Sequence, residues 1–133
     1  MKNLLSRLIG TAVIGLLLLY TGCPEGCNII KYTAVGEWSV TKVHGEESQT
    51  LHLLFSGSRS GGNLYWNSVL VGSYGYIDGT LNFRLKLPDN LGYETYLEDY
   101  TGSFEDKDHL NGTYVEYVPE DVIEGTWTAD RIQ

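Results

Sequence analysis

The chain has 133 residues, with 17 Asp and Glu against 9 Lys and Arg and a net charge of −8. No basic stripe is left over for nucleic acid, and the length allows one domain. Sixteen Gly, 12% aromatic residues and only 3 Pro favour strands joined by tight turns over packed helices.

The N-terminus reads as an export leader. Met1–Arg7 supplies Lys2 and Arg7, Leu8–Tyr20 is an apolar run of 13 residues, and Thr21-Gly22 is small. This order is that of a secretory signal, and the run is short for a membrane span. Leu19-Tyr20-Thr21-Gly22-Cys23 resembles a bacterial lipobox, with Tyr20 where Leu is usual. The resemblance implies cleavage before Cys23 and lipid on that cysteine, so the membrane is an expected partner. Each buried lipid CH₂ adds ~0.8 kcal/mol of membrane affinity. Pro24 rather than Asp follows Cys23, so no mark for inner-membrane retention is present. The expected address is the outer membrane, facing the periplasm. Two alternatives stay open: an uncleaved anchor, or ordinary cleavage followed by a Cys23–Cys27 bridge. Both cysteines precede the domain, so no disulfide framework staples it. Loss of Lys2 and Arg7 takes the net charge from −8 to −10. Residues 1–22 are thus predicted as signal peptide, 23–35 as a lipid-anchored tether and 36–133 as the domain.

The remainder alternates. Gly36–Val43 places Trp38 and Val40 on one face, and His44–Glu47 turns the chain. Thr50–Ser56 follows with Leu51, Leu53 and Phe55 on one face, then the loop Gly57–Gly62. Asn63–Val71 is apolar in part on both faces, and Gly72-Ser73 is expected as a two-residue hairpin turn. From Tyr74 to Leu87 the period of two runs through Ile77, Gly79, Leu81, Phe83, Leu85 and Leu87. This predicts one long strand, with a bend or bulge at Asp78-Gly79. Pro88–Gly92 makes a turn. Tyr93–Phe104 carries Tyr96, Tyr100, Gly102 and Phe104 on one side. Leu110–Val118 carries Leu110, Gly112 and Tyr114 on one side, with Glu116 as the exception, and Val122–Ile132 carries Ile123, Gly125, Trp127, Ala129 and Arg131. Seven or eight antiparallel strands with local hairpins predict an all-β, up-and-down barrel, which removes sheet edges. Four copies of Gly-x-aromatic put a bare patch beside a ring on one strand face: Gly36/Trp38, Gly102/Phe104, Gly112/Tyr114 and Gly125/Trp127. In a domain this short each Gly is expected to make room for a neighbour's ring.

Gly36-Glu37-Trp38 resembles the opening signature of lipocalins, and Gly125-x-Trp127-x-Ala129-x-Arg131 is similar to the last strand of small bacterial lipocalin-like barrels. The resemblance implies that Arg131 stacks on Trp38 and closes one end, a cation–π contact of ~0.5–2 kcal/mol. The chain is shorter than true lipocalins, and Asp99-Tyr100 is a faint echo of their middle motif.

For function, Phe83, Tyr96, Tyr100, Phe104, Tyr114 and Trp127 are the candidate interior or contacts for a small hydrophobic ligand. An acidic stretch from Glu94 to Glu124 holds ten acids against Lys107; it is the alternative, a dock for a cationic envelope protein. No nucleophile elbow, Cys-His pair or phosphate loop occurs. His44, His52 and His109 have no metal-ligand spacing. No enzyme activity, metal or cofactor is therefore expected.

Overall fold

The computed structural model describes residues 32–88 and 95–133. The leader, Cys23 and Cys27 lie outside the described residues, as does most of the predicted turn after Pro88. Eight strands run β1 Gly36–His44, β2 Glu47–Ser58, β3 Gly61–Trp66, β4 Val69–Ile77, β5 Thr80–Leu85, β6 Leu97–Asp106, β7 His109–Val118 and β8 Asp121–Arg131. Each pairs antiparallel with the next, and β8 pairs with β1 to close a barrel. The fold is the all-β, up-and-down barrel that the alternation predicts.

Two turns differ from expectation. The chain reverses at Asn67-Ser68, inside the predicted Asn63–Val71 strand, and Gly72-Ser73 lies within β4. Asn67 and Ser68 both take positive φ, 49° and 66°, as a two-residue hairpin turn needs, and Asn tolerates that region. The register then shifts at Leu64/Tyr65. That irregularity lets Val71 and Tyr74 both face inward and explains why neither face of the segment looked uniformly apolar. Asp78-Gly79 is likewise a hairpin turn and not a bulge, with φ of 52° and 79° and Ile77 paired to Thr80. Ile77 points out and is 69% exposed, while Tyr76 and Leu81 on either side of the turn point in.

Inside, rings stack in two groups. At the end where β1 begins, Phe104 lies against Tyr32 (5.3 Å), Tyr76 (5.4 Å) and Trp38 (6.2 Å). In the middle, Phe83 stacks on Tyr100 at 4.3 Å, with the edge of Trp127 and Phe55 against it at 5.2 and 5.4 Å. Barrels of eight strands are just wide enough for side chains to fill. Two glycines set the fit: a Cβ on Gly102 would sit 2.5 Å from the Trp127 ring, and one on Gly125 2.6 Å from the Tyr114 ring. At these two positions the Gly-x-aromatic spacing is a cross-strand device: the Tyr114 ring lies over Gly125 on the neighbouring strand, and the Trp127 ring reaches across β7 to lie over Gly102 on β6.

Arg131 clamps the end where the chain enters the barrel. Its guanidinium carbon lies 4.3 Å over the Trp38 ring. Nη1 donates to the Val35 carbonyl at 2.9 Å, Nη2 donates to those of Thr33 and Lys107 at 2.8 and 3.0 Å, and Nε lies 3.2 Å from the Asp108 carboxylate. The Trp38 indole N–H donates to the Ala34 carbonyl at 2.8 Å, and Ala34 is fully buried. Residues 32–35, read as tether from the sequence, thus pack with the barrel as part of the unit Tyr32–Gln133. Truncating Trp38 empties the hub of this arrangement. Trp38→Ala is expected to lose about 3–5 kcal/mol of unfolding free energy in urea melts; a variant that melts like the parent would show that Trp38 is not the hub.

Candidate functional site

The far end of the barrel, away from Arg131, is built differently. The inward parity of β1 runs Trp38, Val40 and then Lys42; that of β6 reaches Glu98 before Tyr100; that of β7 runs Tyr114 and then Glu116. Antiparallel pairing sets Glu98 opposite Glu116. Three charged side chains therefore converge inside a barrel whose other tiers are aromatic.

Glu98 is 3% exposed. Its Oε1 takes a charge-assisted hydrogen bond from the Lys42 ammonium and another from the Tyr100 hydroxyl at 3.2 Å. Lys42 Nζ also lies 3.9 Å from Glu116 Oε2 and 5.6 Å from the centre of the Tyr114 ring. Burial pushes the Glu98 carboxyl above its ordinary value; the Lys42 ammonium opposes this without cancelling it. Burial, with the Glu98 charge beside it, also pushes the Tyr100 hydroxyl far up, so it stays a donor.

Beside this pair is a cavity of about 260 Å³. Its walls include Leu87, Tyr96, Tyr114 and Ile123, and its polar lining includes Lys42, His44, Glu47, Gln49, Glu98 and Glu116. His44 Nδ1 is 2.8 Å from the Glu124 carbonyl oxygen on the rim. Two depressions on the outer wall, one beside Leu54 and Tyr65 and one beside Arg84 and Asp99, are more open to solvent.

Of the six aromatic candidates from sequence, only Tyr96 and Tyr114 line this cavity. Phe83, Tyr100 and Trp127 are buried in the central stack, and Phe104 is half-buried at the Arg131 end. Trp38 and Arg131 meet there as well, with no part in the cavity. Lys42, Glu98 and Glu116 were missed as a set. Their signal was parity: a cation and two acids continue the inward series of three strands.

Much of the acidic stretch is committed internally. Glu98 and Glu116 face Lys42. Asp99 holds Arg84 at 2.6 and 2.9 Å, and the Arg84 hydrogen bond pulls its carboxyl below the usual value. Asp108 pairs with Arg131, and Asp106 with His109 at 2.8 Å. The Asp108 backbone N–H, which donates to Asp106 at 2.8 Å, and then the His109 ring pull the Asp106 carboxyl down, and the hydrogen bond to Asp106 pushes His109 up. Among the described residues no group of His, Cys, Asp or Glu could hold a metal ion. No family model, curated protein or solved structure matches the chain.

The buried pair generates a pH test. Lys42→Met leaves Glu98 in the interior without its ammonium, which at pH 7 is expected to cost about 3–5 kcal/mol. A carboxyl whose folded-state value is raised holds more protons folded than unfolded between its ordinary and raised values, so its own contribution to stability falls as pH rises through that window. Protonated Glu98 needs no counter-charge. The gap between Lys42→Met and parent should therefore narrow as pH falls toward the ordinary carboxylate value. Urea melts at pH 7 and pH 5 check this, and an equal gap at both would show that Glu98 is not the group left stranded.

Proposed function

We propose that the chain is an exported, lipid-anchored protein of the cell envelope. Its lipocalin-like barrel holds a small amphiphile in the cavity remote from the Arg131 clamp. The observation that carries this reading is the Lys42–Glu98 pair sunk beside an unfilled space. A buried ion pair is commonly no better for stability than apolar residues of similar volume. The rest of this barrel is packed with such residues. Local departures from good packing and simple polarity are where binding sites are found, and a cavity with apolar walls and a few convergent polar groups is the usual form of a ligand site.

The ligand is small. A volume of about 260 Å³ lies just below the range of roughly 300–1,000 Å³ usual for small-molecule sites. Leu87, Tyr96 and Ile123 suit the apolar part of such a molecule, and the Lys42–Glu98–Glu116 group suits its polar end. The filled central tier favours this limit over a long acyl chain threaded through the barrel. The leader and the lipobox-like Leu19–Cys23 support the anchor, and Gly36-x-Trp38 with Arg131 above the ring supports the lipocalin likeness.

Small amphiphiles of this size should raise the melting temperature and shift the intrinsic fluorescence of the parent. They should do neither for Ile123→Trp, whose larger side chain fills the cavity from its rim. If neither such compounds nor extracted envelope lipid change the parent, the cavity is not a binding site. For the anchor, cells fed radioactive palmitate should label the parent and not Cys23→Ser; label retained in Cys23→Ser would remove lipidation from the proposal.

A further inference from the structure

The lining of the cavity restricts the ligand's chemistry further than its size does. We infer that its ligand is a small amine, bound as the ammonium with its N–H groups directed at Glu116 and Glu47; this rests on the binding role proposed above.

The first ground is charge. Among the described residues the lining contains three carboxylates, the exposed Glu47 with Glu98 and Glu116, against one ammonium, Lys42. Lys42 is engaged chiefly with Glu98 and stands 3.9 Å from Glu116, beyond hydrogen-bond distance. Glu116 is thus only partly compensated, and its side chain is 21% exposed, on the cavity. An anion entering the cavity would meet two further carboxylates for the one ammonium it sought, and that ammonium is already taken.

The second ground is hydrogen-bond capacity. Ionised carboxylates only accept. Glu98 has its acceptor Oε1 filled by Lys42 and Tyr100. Glu116 and Glu47 bring acceptors to the lining that call for a donor-rich guest. A primary ammonium brings three donors and no acceptor, and hydrogen bonds with both partners charged are the strong ones.

The third ground is that this end of the barrel already accommodates an ammonium. Lys42 Nζ sits between two carboxylates with the Tyr114 ring 5.6 Å away, the combination by which carboxylates and aromatic faces hold ammonium groups. A ligand amine beside Glu116 and Glu47 repeats that arrangement one step closer to the rim. Its alkyl or aryl part then lies against Tyr96, Leu87 and Ile123.

Three probes of equal length and different charge test this: n-hexylamine, n-hexanol and n-hexanoate, titrated into the full-length protein by calorimetry at pH 7. The amine should bind tightest. Glu116→Gln, which keeps the shape of the side chain, should weaken it by roughly tenfold, the scale of a charged hydrogen bond, and weaken hexanol by much less. Glu47→Gln repeats the measurement at the rim. Hexanol or hexanoate binding as tightly as the amine, or an amine affinity unmoved in both variants, would overturn the amine assignment while the binding role stood. If none of the three binds, the amine assignment falls, and the binding role falls with it when extracted envelope lipid also leaves the parent unchanged.

Discussion

A sheet of eight strands has two unpaired edges until its first strand meets its last. Here that meeting is the β1–β8 ladder, six residue pairs from Trp38↔Arg131 to Val43↔Thr126. Once it forms, the interior has a fixed girth, and every inward side chain must fit that girth. Arg131 secures the junction with one side chain. It covers the Trp38 ring, binds the carbonyls of the incoming segment and reaches the β6–β7 turn. The donors of its planar fork are divided among carbonyls of two separate segments, a geometry that a lysine could not reproduce.

Within that girth the interior grades from apolar to charged along the barrel axis. Tyr100 sits at the boundary. Its ring stacks on Phe83 in the central tier, and its hydroxyl donates to Glu98 in the next. Trp127 shows the same economy lower down: its ring meets Phe83 edge-on while its N–H is shared by the carbonyls of Thr101 and Thr113. Among the described residues no buried side-chain nitrogen or oxygen lacks a partner. The buried atoms of the charged tier are therefore answered in polar terms, while the partly exposed Glu116 keeps acceptors open to the cavity beside it.

The fold class was legible because alternation with a period of two is a direct record of a half-buried strand. The strand ends were less so. Ile77 is apolar and outward, and its parity matched Leu81 and Phe83, so the alternation looked continuous across a hairpin turn. The turn at Asn67-Ser68 was hidden for a related reason: exposed Val69 and Leu70 kept the segment apolar on both faces. The charged tier was the least legible part. A lysine or glutamate at the end of an inward series usually means that a strand has run out into solvent. Only pairing across β1, β6 and β7 tells that Lys42, Glu98 and Glu116 point at one another. Glu116 was visible as an oddity on its own strand, while its partners were not.

The clamp also bears on how the barrel is assembled in time. Arg131 and Thr33 are 98 residues apart, whereas every ladder but one joins strands adjacent in the chain. Isolated hairpins form in about 1–10 μs, but the last closure has to bring the two ends of the domain together, and contacts of such high sequence separation are the slow ones. Synthesis proceeds from the N-terminus, so β1 with its row of Trp38 and Val40 exists well before β8. During that interval the growing sheet carries two open edges and an uncovered apolar face, the condition in which strands pair with the wrong neighbour. The final eleven residues of the barrel, β8, thus set how long the chain stays adhesive.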